Sequence, residues 1–277
     1  MTTVPLAAQF SLAGARAFVT GGSGFLGAAT CRALAAAGAL VAVGGRDAVR
    51  SEAVVGQLRE AGGDGFAVVG DLCDPAGVES ARRTIQDRWG GLDILVNAAG
   101  GHVPGALVSP EGGVEGVGLD AFREVLDLNA TSTLAVIQAM LPLLRAPGRL
   151  ATASVVNFGS MSADRALTRA LGYGASKAAV TNLTRWLACE LAGGERPVRV
   201  NAIAPGFILT PANHALMLDG DQLTGRGQTV VARTPMGRFG EPDEIGGAVA
   251  FLCMPAASFI TGEVLAADGG FSAWSGV

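Results

Sequence analysis

"ARAFVTGGSGFLGAATCRALAAAG", residues 15–38, runs through a strand, a turn and a helix without a break. "ARAFVT" (15–20) is an apolar run of strand length, and "GAATCRALAAAG" (27–38) is a helical pattern stopped by Gly38. Between them, "VTGGSGFLG" (19–27) is a glycine turn placed where a first strand hands over to a first helix. That context is what makes a glycine motif a dinucleotide-binding signature. Gly21 and Gly24 allow a tight turn and the close approach of a pyrophosphate, and Gly27 lets the helix lie against the strand. The free N–H groups at the helix start then face the anion.

The same alternation continues outward. Strand-like runs follow at 39–45 ("ALVAVGG"), 65–72 ("GFAVVGDL"), 92–100 ("LDILVNAAG"), 154–160 ("SVVNFGS"), 198–206 ("VRVNAIAPG") and 262–270 ("GEVLAADGG"). Helical patterns separate them at about 47–62, 75–89, 119–145, 173–192 and 241–254. Pro242 suits the first position of the last helix, where Asp243 and Glu244 favour the positive end. This rhythm predicts an α/β fold: a Rossmann-type, doubly wound parallel sheet of about seven strands with helices on both faces. No linker or repeat interrupts it, so residues 1–277 are expected to form a single domain. Stretches 100–118 and 207–238 are long for loops and follow strand ends, where open α/β sheets bind ligands. The second is expected to be a substrate lid.

Composition excludes several classes. Apolar residues make up 49% and charged residues 16%, with a mean hydropathy of +0.41, which fits a large core and not a disordered segment. The net charge is −4 and no basic run occurs, so no nucleic-acid partner is expected. The most apolar stretch, "LAVIQAMLPLL" (134–144), falls short of the ~18 residues of a membrane span, and no membrane contact is expected. Cys31, Cys73, Cys189 and Cys253 form no CxxC pair and read as buried reduced thiols of a cytoplasmic protein. Two histidines, His102 and His214, are too few for a metal site.

The end of the second strand speaks to the choice of dinucleotide. An acidic residue there would bind the ribose hydroxyls of NAD. Gly45 occupies the position instead, followed by Arg46, whose planar fork suits a 2′-phosphate. NADP (NADPH) is the preferred expectation, with NAD possible because Asp47 lies close by.

"GYGASKAAV" (172–180) holds the only tyrosine and the only lysine of the chain, Tyr173 and Lys177. Every other basic residue but the histidines is arginine, so a bias against lysine has spared this one. Four positions apart on a helix, the two share a face. Phenol ionises near pH ~10, too high for neutral acid–base work, and a neighbouring cation is expected to lower that value. The pair makes a general acid for a carbonyl oxygen or a general base for an alcohol.

With these residues in order, the chain resembles the short-chain dehydrogenase/reductase family from about residue 12 to the C-terminus. The motifs are "TGGSGFLG", "GDL" (70–72), "NAAG" (97–100), Asn129, Ser160, "YGASK" and "VNAIAPGFILT" (200–210). The resemblance implies that Ser160 polarises the reacting carbonyl, Tyr173 transfers the proton, and Lys177 binds the nicotinamide ribose and assists Tyr173. Asn129 would anchor a water in the proton relay. For the cofactor it implies Gly21, Ser23, Gly24, Phe25 and Leu26 at the phosphate turn, Arg46 at the ribose, and Asp71 and Leu72 at the adenine. Asn97, Ala98 and Gly100 would line the cleft, with Pro205, Gly206, Ile208 and Thr210 around the nicotinamide.

Phe25 departs from the common pattern, which has glycine there; the TGxxGxxG spacing resembles the extended, epimerase-like branch. The short C-terminal part argues for the ordinary oxidoreductase branch. "TPANHALM" (210–217), "ARTPMGRFGEPDEI" (232–245) and "DGGFSAWSGV" (268–277) are most similar to the D-mannonate oxidoreductase (fructuronate reductase) type. A keto-sugar acid would then meet His102, Asn213, His214 and Arg226, the last supplying a cation for its carboxylate. "GFILT" and the methionine-containing lid equally suit an apolar ketone or a 3-oxoacyl thioester. A non-catalytic NADP-binding regulator would not need Asn129, Ser160, Tyr173 and Lys177 together. Assembly is expected as a homotetramer, with the apolar 119–145 and 173–192 helices forming a two-fold interface and "FSAWSGV" (271–277) tied down near an interface.

Overall fold

Seven apolar runs lie side by side in parallel in the computed structural model, which describes residues 5–109 and 111–275. They are β1 (Arg16–Thr20), β2 (Leu40–Gly45), β3 (Asp64–Val69), β4 (Ile94–Asn97), β5 (Ala153–Phe158), β6 (Val198–Pro205) and β7 (Val264–Ala267). Their order is β3-β2-β1-β4-β5-β6-β7. The chain winds outward one way from β1 and the other way from β4, which pair in parallel from Ala17↔Ile94 to Thr20↔Asn97. The switch point therefore falls between β1 and β4, where ligands of such sheets bind.

The buried strands read as near-continuous apolar runs because helices cover both faces. On one face α1 (Phe25–Ala36), α2 (Ala48–Glu60) and α8 (Pro242–Cys253) bury Cys31, Leu34, Val55, Leu58, Ile245 and Val249. On the other, α3 (Pro75–Trp89), α5 (Ser132–Arg145) and α6 (Leu171–Glu190) bury Ile85, Val136, Ile137, Met140 and Leu187. Gly246 brings α8 within reach of α1: a methyl there would stand 2.7 Å from the Ala29 carbonyl oxygen. Pro242 opens α8, and a capping box between Glu241 and Glu244 satisfies its first N–H groups.

The two ends of the sheet are built differently. At the N-terminal end, buried Asp93 accepts from the Arg16 N–H and Nε, the Arg149 and Leu150 N–H groups, and Arg196. Burial alone would raise that carboxyl, but Arg16 and the backbone donors hold it below the usual carboxylate range. At the C-terminal end the strands run out into glycine-rich loops.

Several boundaries differ from the sequence expectation. β4 stops at Asn97, because Ala98 and Ala99 turn to bond Thr20 and Gly100 has φ +154°. The 119–145 helix is interrupted: α4 (Leu119–Leu126) and α5 flank a π-type turn, Asp127–Thr131. The 207–238 stretch holds a short helix (His214–Met217), a two-residue-strand hairpin, and α7 (Gly225–Arg233). Cys31 and Cys253 are buried, but Cys73 and Cys189 are exposed, which corrects the reading of four buried thiols.

Candidate active site

The first βα turn fits close backbone approach. Gly21 has φ +62°, and a methyl on it would lie 2.8 Å from Ala99 across the switch point. A methyl on Gly27 would overlap the Gly21 carbonyl oxygen. Gly24 caps α1 with no side chain over the exposed N–H groups. The turn is a cradle that side chains would fill.

A cleft of about 790 Å³ opens from this turn along the C-terminal ends of the strands. It brings together Gly21, Ser23, Gly24, Phe25 and Leu26 with Ala98 and Gly100. Pro205, Gly206, Ile208 and Thr210 close another side, and Ser160, Tyr173 and Lys177 stand between. Its charged lining consists of Arg32, Arg50, Lys177 and Arg226, with His102; no Asp or Glu lines it among the described residues. In a chain of net charge −4, that concentration of cations marks an anion-binding cleft.

Tyr173 sits in the first turn of α6, two residues after its start. Lys177, one turn on, is 4% exposed; its Nζ donates to the Phe158 carbonyl at 2.7 Å and lies 5.6 Å from the Tyr173 ring centroid. Ser160 Oγ accepts from the Ser162 N–H (3.1 Å) and hydroxyl (2.9 Å). Its own proton is thereby left to donate, and it lies near enough to Tyr173 to lower the phenol's value. Burial raises the phenol above its ordinary value, against the Ser160 hydroxyl. This reverses the expected direction: desolvation outweighs the Ser160 contribution, and desolvation likewise pushes the Lys177 ammonium down to about 8. Tyr173 is thus held protonated at neutral pH.

Asn129 lies inside the π-type turn, fully buried, and does not line the cleft. Its Nδ2 donates to the carbonyls of Gly101 (2.9 Å) and Val125 (3.1 Å) and to Ser176 Oγ (3.1 Å), while Oδ1 accepts from the Gly101 N–H (2.9 Å). A methyl on Gly100 would overlap that Oδ1. Asn129 is a clamp on the loop after β4.

Other anticipated residues divide. His102, Asn213 and Arg226 line the cleft, but the Asn213 amide is committed to the Thr210 N–H (2.8 Å) and Ile208 carbonyl (2.9 Å) at the lid base. Arg226 Nε is buried without a hydrogen-bond partner. Exposed His214 and Arg46 do not line the cleft. Neither do Asp71, whose carboxylate accepts from the Cys73 N–H, buried Leu72, or buried Asn97, whose amide donates to Asn157. Arg50 was missed: it reaches back to the Ser23 carbonyl at 3.0 Å, four residues beyond Arg46 near the start of a helix the sequence had announced. Asp47 is the N-cap of that helix, accepting from the Arg50 N–H at 3.0 Å.

A family model described as enoyl-(acyl carrier protein) reductase matches residues 23–272. The chain belongs to the short-chain dehydrogenase/reductase family of oxidoreductases. An uncharacterized Bacillus subtilis oxidoreductase, UxuB, is 39% identical over 96% of this chain and 98% of its own. A Haemophilus influenzae structure provisionally named a D-mannonate oxidoreductase, with bound NAD, superposes with a TM-score of 0.88. It is 31% identical and covers 99% of this chain and 100% of its own. A gluconate 5-dehydrogenase from Burkholderia cenocepacia, solved with NADP and tartrate, gives a TM-score of 0.85 at 28% identity, covering 98% of this chain and 100% of its own. In this short-chain dehydrogenase/reductase no helix among the described residues is long and apolar enough to cross a membrane.

Proposed function

We propose that this protein is an NADP(H)-dependent oxidoreductase that interconverts a carbonyl and a secondary alcohol on a keto-sugar acid such as fructuronate. The observation that carries the substrate reading is Arg226, a half-buried cation of the lid whose Nε has no hydrogen-bond partner, in a cleft lined by no carboxylate among the described residues. A half-buried guanidinium with a free N–H keeps capacity for a charge-assisted hydrogen bond, which a substrate carboxylate would take. The gluconate 5-dehydrogenase relative, solved with tartrate, supports an acid of this kind.

NADP would lie with its pyrophosphate over Gly21–Gly27 and its 2′-phosphate near Arg50 and Arg46, and supply or accept the hydride when bound. Gly45 carries no carboxylate for the ribose hydroxyls, and a methyl there would press on the Ser23 and Ser51 hydroxyls, which supports NADP over NAD. NAD stays possible, as in the Haemophilus relative. In reduction, Ser160 donates to the carbonyl oxygen and Tyr173, held protonated, delivers its proton there as the alcohol forms. Lys177 fixes the backbone at Phe158 and faces the phenolate left behind.

A second reading, an apolar ketone or 3-oxoacyl thioester, is favoured by Met161, Leu167, Leu216 and Met217 in the same cleft. A screen of NADPH oxidation over keto-sugar acids, apolar ketones and 3-oxoacyl thioesters separates the two. Turnover confined to sugar acids, with KM raised roughly tenfold or more by Arg226→Leu, the scale of a lost charge-assisted bond, is the expected result. Turnover confined to thioesters or ketones, untouched by Arg226→Leu, overturns it.

A further inference from the structure

His102 lies flat against the only tyrosine of the chain: the ring centroids are 4.1 Å apart and the planes 28° from parallel. Its neighbours in sequence are both anchored. Gly101 is clamped in two directions by the Asn129 amide, and Val103 is buried in a small cluster with Ala106 and Val125. Between two fixed residues the imidazole has a set direction, into the cleft and over the phenol. The stack is thus built by the loop.

We propose that His102 is a positioning residue for Tyr173: its neutral imidazole holds the phenol so that the hydroxyl meets Ser160, and protonation of that imidazole loosens the site. Lys177 on α6 is the charge that faces His102, and Arg226 on α7 lines the same cleft, while no carboxylate there would compensate an imidazolium. His102 keeps an exposed face, but packing against Tyr173 first, and then the Lys177 charge, lower its titration below the ordinary 6.5, which favours the neutral ring at pH 7. An imidazolium would add a second cation beside Lys177 and favour repulsion over a flat stack. The inference rests on the reading of Tyr173 as proton donor, but its structural half stands apart from any substrate.

One tyrosine and two histidines make the test direct. In protein carrying ring-labelled tyrosine, the Tyr173 NMR signals of the wild type should move with a midpoint below pH 6.5, apart from the Lys177 step at about 8. His102→Phe, which keeps an aromatic face but cannot titrate, should abolish that movement; His214→Gln should not. In turnover with the screened substrate, His102→Phe should lose the acid limb of the wild-type pH profile. His102→Ala should lower kcat roughly 10- to 100-fold, the scale of a misplaced reacting group, with NADPH affinity unchanged. Tyr173 signals with no such midpoint in the wild type, or with the same one in His102→Phe, overturn the proposal. So does a His102→Phe enzyme whose only defect is a raised KM for the carbonyl substrate. If no substrate is turned over, the functional reading fails while the NMR arm still decides the stack.

Discussion

Lys177 has its ammonium buried, with one backbone carbonyl as hydrogen-bond partner, and burial brings it from 10.5 to about 8. A lysine depressed in the folded state binds its proton more readily unfolded between those two values. Its contribution to stability is therefore best above pH 10.5, falls as pH drops toward about 8, and stays unfavourable at neutrality. The shift corresponds to about 3 kcal/mol. Lys177→Met should accordingly equal or exceed the wild type in stability at pH 7 while losing turnover. Urea titrations should show the wild type gaining on the variant from pH 8 to 10.5; parallel curves would remove the buried-charge account. Tyr173→Phe should keep the fold and NADPH binding but cost at least ~100-fold in turnover, checked by steady-state kinetics on whichever substrate the screen finds. The chemistry of this pair was legible because the chain holds one of each residue. The direction of the phenol's shift was not, since burial belongs to the packing of β5, α6 and the 98–106 loop around it.

At the scale of elements, the order of strands and helices follows from apolar runs alternating with helical periods, because a parallel sheet covered on both faces writes that pattern directly. The π-type turn at Asp127–Thr131 leaves no such trace: one additional residue per turn does not disturb the apolar spacing of α4 and α5. The lid was likewise readable as a long segment but not as a helix, hairpin and helix, whose short elements carry too little periodicity. Arg50 belongs here as well, since only the course of α2 returns it to the Ser23 carbonyl. Two variants separate the cofactor claims. Arg50→Ala with Arg46→Ala should weaken NADPH by roughly 1.5–3 kcal/mol, the worth of a charge-assisted bond, and leave NADH nearly unchanged in fluorescence titrations at matched salt. Equal loss for both cofactors would move the 2′-phosphate elsewhere. Gly27→Ala should lower both affinities together, because a methyl overlapping the Gly21 carbonyl distorts the turn that both would share.

For the whole molecule, the open question is what covers the surface that the sheet does not need. Within the apolar 173–192 stretch, Leu187 packs inward with the α5 and α6 core. Trp186 (62% exposed), Leu119 (69%) and Leu171 (44%) remain outside on α4 and α6. They motivate the proposal of a two-fold interface and a homotetramer; a monomer by light scattering at micromolar concentration would refute it. The C-terminal segment, of which residues 276–277 lie outside the described residues, bears on the cleft within one chain. Phe271 meets Phe207 at the lid base edge-on, ring centroids 5.5 Å apart. Arg165, in the loop after Ser160, donates to the Ser272 carbonyl. Asp268 fixes the turn between them by accepting from the Gly270 (2.9 Å) and Ser272 (2.8 Å) N–H groups. The segment thus ties the hinge of the lid to the loop that carries Ser160, on the substrate side and away from the glycine turn. Ending the chain after Gly270 should therefore free the lid, which carries Arg226, while leaving the phosphate cradle intact. The expected outcome is KM for a keto-sugar acid raised roughly tenfold, the scale of a misplaced ligating group, with NADPH affinity within about twofold. Unchanged KM after truncation would show that the lid needs no such tie, and a matching loss of NADPH affinity would place the defect in the fold as a whole.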